Sequence, residues 1–487
     1  MSRIDALSLR AKIALGTFSQ LFSKLAVAVL SVFTLRYSTQ YLGAEVYGQY
    51  ATVVAYVTIF TLLTDLGLTA ITSREIARHP DDTDHIIGNS LAMRLALSVA
   101  VSPLIAVGGW WLYMTKPAEI KIGIALMVVT LVFGSVQSVT SALFTAKNRN
   151  DLPAVLIVLN KLVYLFAIVA AGALGYGFYG FVYAAIVAAL LSALLSVYWA
   201  YRRVRLRLLF HMTHWRRMAQ LSIPLGIIQI INMLYYKIDS VMLSVMRSPR
   251  EVGLYAIAYG IIDVVMSVPS FFMTSLMPTL ATASNERLRA VVERAFSLLA
   301  FVAVLAATGG VLLSKDIVLL ISSQAFVHAA LPFAILVVSA TFSYINAVFG
   351  FASVAVNKQG RLLKVSLFTV GLNVVINLFA IPRFGISGAA TATLITECVA
   401  CAGVYFVFWR QTGISVRFGA MWKYIVAAAC SLAFAWPISL IHLPLLLHFL
   451  LVGMIVAVVY LGTVTFLRGL PVDIERPLGR LVERLKK

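Results

Sequence analysis

The sequence is poor in charged residues for its length. Asp, Glu, Lys and Arg make up only 12% of the 487 residues, while hydrophobic residues make up 61%. A soluble domain of this size would need about twice that charged fraction at its surface. The shortage of charge therefore excludes a soluble globular protein and indicates a chain that lies largely in lipid.

Residues that redox, metal and nucleotide sites require are also scarce. The chain has three cysteines: Cys398 and Cys401 form a C-x-x-C without a second ligand pair, and Cys430 lies in another apolar stretch. The seven histidines show no ligand spacing, and no phosphate loop of the form G-x-x-x-x-G-K-S/T occurs. We therefore expect packing roles for the cysteines, no metal site, no cofactor and no ATP-driven transport by this chain alone.

Long apolar stretches take the place of charge. A membrane-spanning helix needs about 20 apolar residues, and fourteen stretches reach about that length. They cover residues 13–35, 50–72, 86–112, 120–144, 152–174, 178–200, 219–246, 254–281, 295–313, 329–352, 362–382, 385–409, 421–441 and 444–467. The sequence therefore predicts an all-α polytopic membrane protein with fourteen transmembrane helices. The first stretch lacks a signal-peptide cleavage site, so we expect it to remain as the first helix.

The basic residues are distributed unevenly between the two sides of the membrane. The net charge is +20, and 28 of the 39 Lys and Arg residues lie on the side of the N-terminus, against 7 on the opposite side. This positive-inside distribution places both termini in the cytoplasm. We expect a multi-pass protein of the cell inner membrane that does not bind nucleic acid, because the basic charge follows the topology.

Two cytoplasmic segments hold much of this charge. Residues 201–218 contain six arginines among Leu, Phe and Trp, and the tail from residue 468 onward contains six basic residues. Both patterns predict helices that lie in the membrane interface and contact anionic lipid.

An internal duplication organises the chain. Residues 46–51 (VYGQYA) and 251–256 (EVGLYA) align Gly48 with Gly253, and the loop at Asn148 recurs at Asn357 with nearly the same offset. Each repeat has six helices, and because six is even the two halves are parallel repeats. Transporters built in this way bind substrate near the bilayer midplane between the halves. The predicted regions are an N-terminal lobe (1–200), a basic interfacial linker (201–218), a C-terminal lobe (219–410), two extra helices (411–467) and a basic cytoplasmic tail (468–487).

Short motifs in both halves carry a family resemblance. Residues 41–50 (YLGAEVYGQY), 65–68 (DLGL) and 74–77 (REIA) resemble the N-terminal signature of bacterial polysaccharide flippases of the O-antigen type. The second half is similar at Asp239, residues 251–256, Pro269 and Pro278. The resemblance implies membership of the multidrug, oligosaccharidyl-lipid and polysaccharide exporter superfamily, with MATE-like lobes.

The same resemblance implies a function and partners. Flippases of this branch move undecaprenyl-diphosphate-linked glycans from the cytoplasmic to the periplasmic leaflet during O-antigen, exopolysaccharide or capsule synthesis. The expected partners are the lipid-linked glycan, membrane lipids, a coupling proton or sodium ion, and a polysaccharide polymerase complex.

Five charged residues lie deep inside predicted helices. Lys24, Lys161 and Lys237 lie about 13 to 16 Å from their nearer helix ends, and Asp263 and Glu397 lie about 16 to 18 Å in. Each such charge costs at least about 2.5 to 3.5 kcal/mol unless it faces a partner or a wet cavity. We predict that the lysines form a basic cavity for a diphosphate. The alternative is that they pair with the two acids across the lobes, and those acids are candidates for this pairing or for ion coupling.

Three further charged residues lie inside predicted helices, and we do not assign them to the basic cavity. Asp65 and Arg94 lie about 10 and 12 Å from the cytoplasmic ends of neighbouring helices, so we predict a structural ion pair within the first lobe. Asp239 is two residues from Lys237 and faces another side of the same helix. Its role, in structure, cross-lobe pairing or ion coupling, stays open.

These residues predict a transporter, not an enzyme, that works by alternating access while the polyprenyl tail stays in lipid. Three alternatives remain. A multidrug cation antiporter would need an acid in helix 1, whose only deep ionisable group is Lys24. A lipid II flippase would share the fold and the basic cavity. A membrane glycosyltransferase or polymerase would need catalytic acids in a loop, and the first outer loop offers only Glu45.

Overall fold

The computed structural model describes residues 9–356, 359–441, 443–471 and 474. Within these residues the chain is helical and contains no β-strand, which confirms the all-α prediction. Residues Pro80–Asp82 and Gln324–Ala329 form short 3-10 helices. The described residues contain fifteen α-helices: α1 (Leu9–Asp65), α2 (Leu68–Arg78), α3 (Thr83–Leu112), α4 (Ala118–Met127), α5 (Val129–Ala146), α6 (Asp151–Ala173), α7 (Gly177–Tyr201), α8 (Met212–Met246), α9 (Pro249–Ala281), α10 (Asn285–Leu312), α11 (Ser314–Ile321), α12 (Ala330–Ala355), α13 (Gln359–Thr412), α14 (Met421–Ser439) and α15 (Leu445–Phe466).

Twelve helical stretches of the described chain are long and apolar enough to cross a membrane, so the protein is a multi-pass membrane protein. Two of them are much longer than the others, with 61 residues at Phe18–Arg78 and 53 residues at Gly360–Thr412. Helix α1 is interrupted at Gly43 (φ 69°) and α13 at Gly385 (φ 56°). Glycine adopts these positive φ angles without the strain that a Cβ would introduce.

Helices α1 to α8 belong to a first compact unit, Met1–Gly253. One of its buried clusters contains Val53, Ile124 and Phe178, and a second contains Leu143 and Leu156. The clusters place α1, α4 and α7 around one core and α5 and α6 around the other. Apolar packing between helices of this unit therefore fixes the positions of their polar residues.

Close backbone contacts attach the later helices to α1. A Cβ on Gly226 of α8 would lie 2.5 Å from the carbonyl carbon of Leu66, and a Cβ on Gly253 would lie 2.5 Å from the carbonyl oxygen of Ala44. Gly48 and Gly253, which the duplication aligns, lie against each other: a Cβ on either would be about 3.0 Å from the other's backbone nitrogen. Side chains larger than hydrogen do not fit at these positions.

The second compact unit, Leu254–Lys487, contains most of α9 and helices α10 to α15. Phe301, Phe349, Tyr424 and Tyr460 belong to its buried core. The Tyr460 hydroxyl donates a hydrogen bond to the carbonyl oxygen of Phe301 (3.1 Å). Helices α14 and α15, which lie outside the predicted repeat, are therefore part of the core of this unit.

The division into compact units differs from the predicted lobe boundary by one helix. Contacts place α8 with the first unit, whereas the duplication assigns residues 219–246 to the second lobe. The repeat and its boundaries stay predictions. The recurrence at Asn357 and most of the basic tail, including Arg476 and Arg480, lie outside the described residues.

The segment that connects α7 to α8, residues 202–211, is bound along the start of α3. The backbone N–H of Leu209 donates to the carbonyl oxygen of Gly88 (3.3 Å), and that of His211 donates to the Asn89 side chain (2.9 Å). A Cβ on Gly88 would lie 2.4 Å from a backbone oxygen of this connecting segment. The backbones of α3 and of the connecting segment are therefore so close at position 88 that only glycine fits there.

The prediction of an interfacial helix over residues 201–218 is wrong for the connecting segment. Its residues 205–211 are not helical, and helix begins only at Met212. The physical reason is that backbone N–H groups of this segment donate to acceptors on α3. In a helix the same N–H groups would donate to carbonyl oxygens of the segment itself. Leu208, Phe210 and Met212 are nevertheless largely exposed, as expected of side chains that contact the membrane interface.

Candidate functional site

Helices α1 and α6 run in the same direction with a fixed register. A Cβ on Gly16 would lie 3.3 Å from the Cβ of Asn150, near the start of both helices. Further along, the Tyr37 hydroxyl donates to the carbonyl oxygen of Val169 (3.3 Å). The residue numbers differ by 134 in the first contact and by 132 in the second. Because the two differences are nearly equal, each position of α1 between the contacts can be matched to a position of α6.

This register places Lys24 and Lys161 at similar depths. Lys161 lies about four residues beyond the position that matches Lys24, which is about 6 Å along the helix axis. Lys24 is exposed, and Lys161 is half-buried with its Nζ 5.8 Å from the centroid of the Tyr164 ring. The Tyr164 hydroxyl donates to the Tyr50 hydroxyl (2.7 Å). The hydroxyl pair therefore connects α6 to α1 close to Lys161.

Lys237 lies on α8, which runs antiparallel to the part of α1 after Gly43. Gly226 packs against Leu66 at one end, and Pro249, just after α8, packs against Gly48 at the other. Interpolation between these contacts places Lys237 level with residues 57–58 of α1. The three candidate lysines therefore belong to the first unit.

Counted along the helices, the three lysines lie in one narrow band. Measured from Gly43 at 1.5 Å per residue, Lys24 is about 28 Å away, the level of Lys161 is about 23 Å away and the level of Lys237 is about 22 Å away. The band is therefore about 7 Å wide, which is small beside a hydrocarbon core of about 30 Å.

The end of α8 is held by polar contacts. The Tyr113 hydroxyl and Ser244 Oγ are hydrogen-bonded at 2.7 Å, and Lys116 Nζ donates to the carbonyl oxygen of Arg247. Burial lowers the pKa of the Lys116 ammonium, while Glu251 opposes this by raising it. These contacts fix the axial position of α8 and therefore the depth of Lys237.

The three acidic candidates occupy different settings. Asp239 is buried in the first unit, and its Oδ1 accepts the backbone N–H of Ser240 (2.6 Å). Asp263 is exposed on α9 and Glu397 is buried on α13, both in the second unit. Asp263 and Glu397 therefore belong to a different compact unit from the three lysines.

Asp65 and Arg94 are in direct contact inside the first unit. Arg94 Nη1 contacts Asp65 Oδ1 and also donates to Thr69 Oγ1, which in turn donates to Asp65. The backbone N–H of Thr69 also donates to Asp65 Oδ1 (3.2 Å). Positive φ angles at Leu66 and Gly67 end α1 and turn the chain so that Thr69 reaches Asp65. The ion pair therefore joins α3 to the junction of α1 and α2.

Sequence reasoning missed a buried carboxylate at Glu75, inside the REIA motif. Glu75 is 5% exposed and lies within 3.9 Å of three guanidinium groups, from Arg74, Arg78 and Arg217. Arg217 is on α8, 142 residues later in the chain. In the sequence, the visible signal was that Glu75 stands between Arg74 and Arg78. The third arginine, Arg217, is too far away in the sequence to be associated with them.

A histidine contact was also missed. His85 Nε2 and His211 Nδ1 are 3.2 Å apart, with one ring N–H donating to the other ring. The pair joins α3 to the connecting segment across 126 residues of sequence. Among the described residues, no group of three His, Cys, Asp or Glu side chains could hold a metal ion.

The chain matches a known protein family. A family described as polysaccharide biosynthesis protein matches residues 13–284. A curated relative, the probable flippase AglR of Haloferax volcanii, is 26% identical over 172 residues, which is 34% of this chain. The match spans only 36% of that relative's own length.

Solved structures with a similar fold cover most of the chain. The lipid II flippase MurJ in an inward closed conformation superposes with a TM-score of 0.72 at 14% identity, covering 93% of this chain and 99% of MurJ. An inward-facing multidrug resistance MATE family transporter of the MOP superfamily gives a TM-score of 0.68 at 16% identity, covering 81% of this chain and 98% of that one. At such identities the likeness establishes the fold alone.

Proposed function

Since the chain belongs to the polysaccharide biosynthesis protein family, we propose that it is a flippase for undecaprenyl-diphosphate-linked oligosaccharide. The family match and the MurJ- and MATE-like fold confirm the resemblance drawn from the sequence. In the proposed reaction the glycan lipid moves from the cytoplasmic to the periplasmic leaflet of the inner membrane. The product would serve O-antigen, exopolysaccharide or capsule synthesis.

The observation that carries this proposal is the band formed by Lys24, Lys161 and Lys237. A charged side chain near the bilayer centre costs at least about 2.5 to 3.5 kcal/mol. Three cations at similar levels also create a positive potential that attracts an anionic ligand. A diphosphate supplies acceptor oxygens for charge-assisted hydrogen bonds from lysine. The band therefore favours an anionic cargo over the cationic cargo of a multidrug antiporter.

The proposed mechanism is alternating access. The lysine band would hold the diphosphate, and the polyprenyl tail would remain in lipid because enclosing so long an apolar chain gains nothing. Asp263, Glu397 and Asp239 are candidates for coupling to protons or sodium ions or for pairing with the lysines. A polysaccharide polymerase is the proposed partner on the periplasmic side.

We also propose fourteen crossings with both termini in the cytoplasm. An α-helix of 53 residues is about 80 Å long, far more than a bilayer core of about 30 Å requires. Splitting the two long stretches at Gly43 and Gly385 turns twelve candidate spans into fourteen. An even number of crossings also agrees with the positive-inside distribution.

Single-cysteine labelling tests this topology. In a chain whose three native cysteines are replaced by alanine, Arg207→Cys should react with an impermeant maleimide only from the cytoplasmic side, and Glu45→Cys only from the outside. Both positions are exposed, so access is not limited by packing. Labelling of both cysteines from the same side would contradict the fourteen-helix arrangement.

Transport in proteoliposomes tests the function. Purified protein is reconstituted with undecaprenyl-diphosphate-linked oligosaccharide, lipid II or a fluorescent organic cation, and transfer is measured with and without proton or sodium gradients. We expect transfer of the oligosaccharide lipid above that in protein-free liposomes. Faster transfer of lipid II would favour the lipid II alternative, and transport of the cation alone would favour the antiporter.

A further inference from the structure

The second unit contains a polar cavity at one end of its helix bundle. The cavity has a volume of ≈350 Å³ and lies where α10 and α14 begin and α15 ends. Its charged and polar lining includes Glu293, Arg294, Ser297, Lys423 and Arg468. A cavity of this volume falls within the range of small-molecule sites, about 300 to 1,000 Å³.

Of the described residues that line the cavity, three are cations and one is an acid, and the acid is already paired. Glu293 Oε1 accepts from Arg289 Nε (3.1 Å) and from the backbone N–H of Arg417 (3.4 Å). This leaves Arg294, Lys423 and Arg468 as the other charges of the lining. Within the described part of the chain, no carboxylate lies within ion-pair distance of these three cations. The cavity therefore has the charge that attracts an anion.

Hydrogen bonds shape the cavity before any ligand arrives. Lys423 Nζ donates to the carbonyl oxygen of Arg468 (3.0 Å), and the Tyr424 hydroxyl donates to that of Gly469 (3.2 Å). A Cβ on Gly469 would lie 2.9 Å from Lys423 Cδ, so the chain after α15 lies closely on α14. The ammonium of Lys423 retains two further N–H donors. A preformed site with free donors loses less conformational entropy on binding.

The position of the cavity indicates the ligand. It lies at the helix ends that the basic residues mark as cytoplasmic, and basic pockets between helices on that side bind lipid head groups. We infer that this cavity binds a phosphate group, carried by an anionic phospholipid of the cytoplasmic leaflet or free in solution. Helices α14 and α15 lie outside the predicted repeat, and the lysine band belongs to the first unit. The cavity is therefore distinct from the proposed translocation site, and only its assignment to the cytoplasmic leaflet depends on the proposed topology.

Lipid binding to the full-length, delipidated protein in detergent tests the inference. Native mass spectrometry would measure binding of phosphatidylglycerol and of phosphatidylcholine to the wild type and to Arg294→Gln/Lys423→Gln. Glutamine at position 423 removes the charge but keeps an N–H donor for Arg468. We expect preferential binding of phosphatidylglycerol, weakened at least about tenfold in the double variant. Arg287→Gln removes one positive charge at an exposed position of α10 outside the cavity, as Arg294→Gln alone does inside it, and should bind as the wild type does.

Two further measurements distinguish lipid-bound from free phosphate, and distinguish this inference from the proposed flippase function. If millimolar inorganic phosphate displaces phosphatidylglycerol, the site accepts free phosphate, and if it does not, the site requires the lipid. Lys24→Ala should bind phosphatidylglycerol normally even where it fails to transport. Equal binding of both phospholipids together with no binding of phosphate, or an equal loss in Arg287→Gln, would overturn the inference. Arg294→Gln alone, at an exposed helix position, provides a folded variant if the double change lowers stability.

Discussion

Lys24→Ala is expected to yield a folded, membrane-inserted protein whose transfer of lipid-linked glycan falls by about tenfold to a hundredfold. A charge-assisted hydrogen bond contributes about 1.5 to 3 kcal/mol, which corresponds to that range. Lys24 is exposed on α1, so its removal leaves no cavity in the core. The measurement is the initial rate of transfer in proteoliposomes at equal protein abundance.

The sign of the charge should decide the outcome at this position. Lys24→Arg should retain partial transfer, because a guanidinium also binds phosphate but with a different geometry. Lys24→Glu should abolish transfer, since it repels the diphosphate. Lys121→Ala, which removes a lysine beside Trp110 outside the band, is the matched control and should transfer normally. A wild-type rate in Lys24→Ala would refute the basic-site mechanism.

Removing one partner of the Asp65–Arg94 pair is expected to give the largest loss of stability. Both side chains are nearly buried, at 12% and 5% exposure. An uncompensated buried charge costs about 3 to 5 kcal/mol, so Asp65→Ala and Arg94→Ala should each lower abundance and thermal stability in detergent. The double alanine variant should be more stable than the worse single variant, because it leaves neither charge unpaired.

Thr69 provides the control for this pair. Thr69→Val keeps the volume and both charges but removes the hydroxyl that bridges them, so we expect a loss smaller than that of either alanine change. If the losses of the two single variants add in the double variant, the pair contributes no coupling and the structural assignment fails.

Hydropathy and charge distribution were sufficient to predict the class of fold. Apolar stretches of about 20 residues leave few alternatives to membrane helices, because unpaired backbone groups are too costly in lipid. The family resemblance depended on short motifs near Gly48 and Asp65, and both are structurally constrained, by a backbone contact and by an ion pair.

Contacts between distant segments could not be predicted in the same way. The arginines of residues 201–218 form an amphipathic pattern, yet part of that segment is not helical and is hydrogen-bonded to Gly88 and Asn89 of α3. Glu75 likewise depends on Arg217, which lies 142 residues away. A single sequence carries hydropathy and local propensity, but it does not show which remote backbone group offers a better hydrogen bond.

The candidate site also could be predicted only in part from the sequence. Depth within a helix can be counted from the sequence, and this count predicts positions near the midplane for Lys24, Lys161 and Lys237. The register between helices requires contacts such as Tyr37 with Val169, and these place the three lysines in one unit. Whether Asp263 and Glu397 pair with these lysines or couple ions stays a prediction.

The connecting segment is synthesised well after the part of α3 that it binds. The Asn89 side chain receives the N–H of a residue made 122 positions later. At about 5 to 20 residues per second, this partner leaves the ribosome about 6 to 24 s after Asn89 does. During that interval Gly88 and Asn89 of α3 lack the hydrogen-bond partners that the connecting segment later supplies. A chain that ends after α7 would never gain these partners, so we expect it to be less stable than the complete first unit.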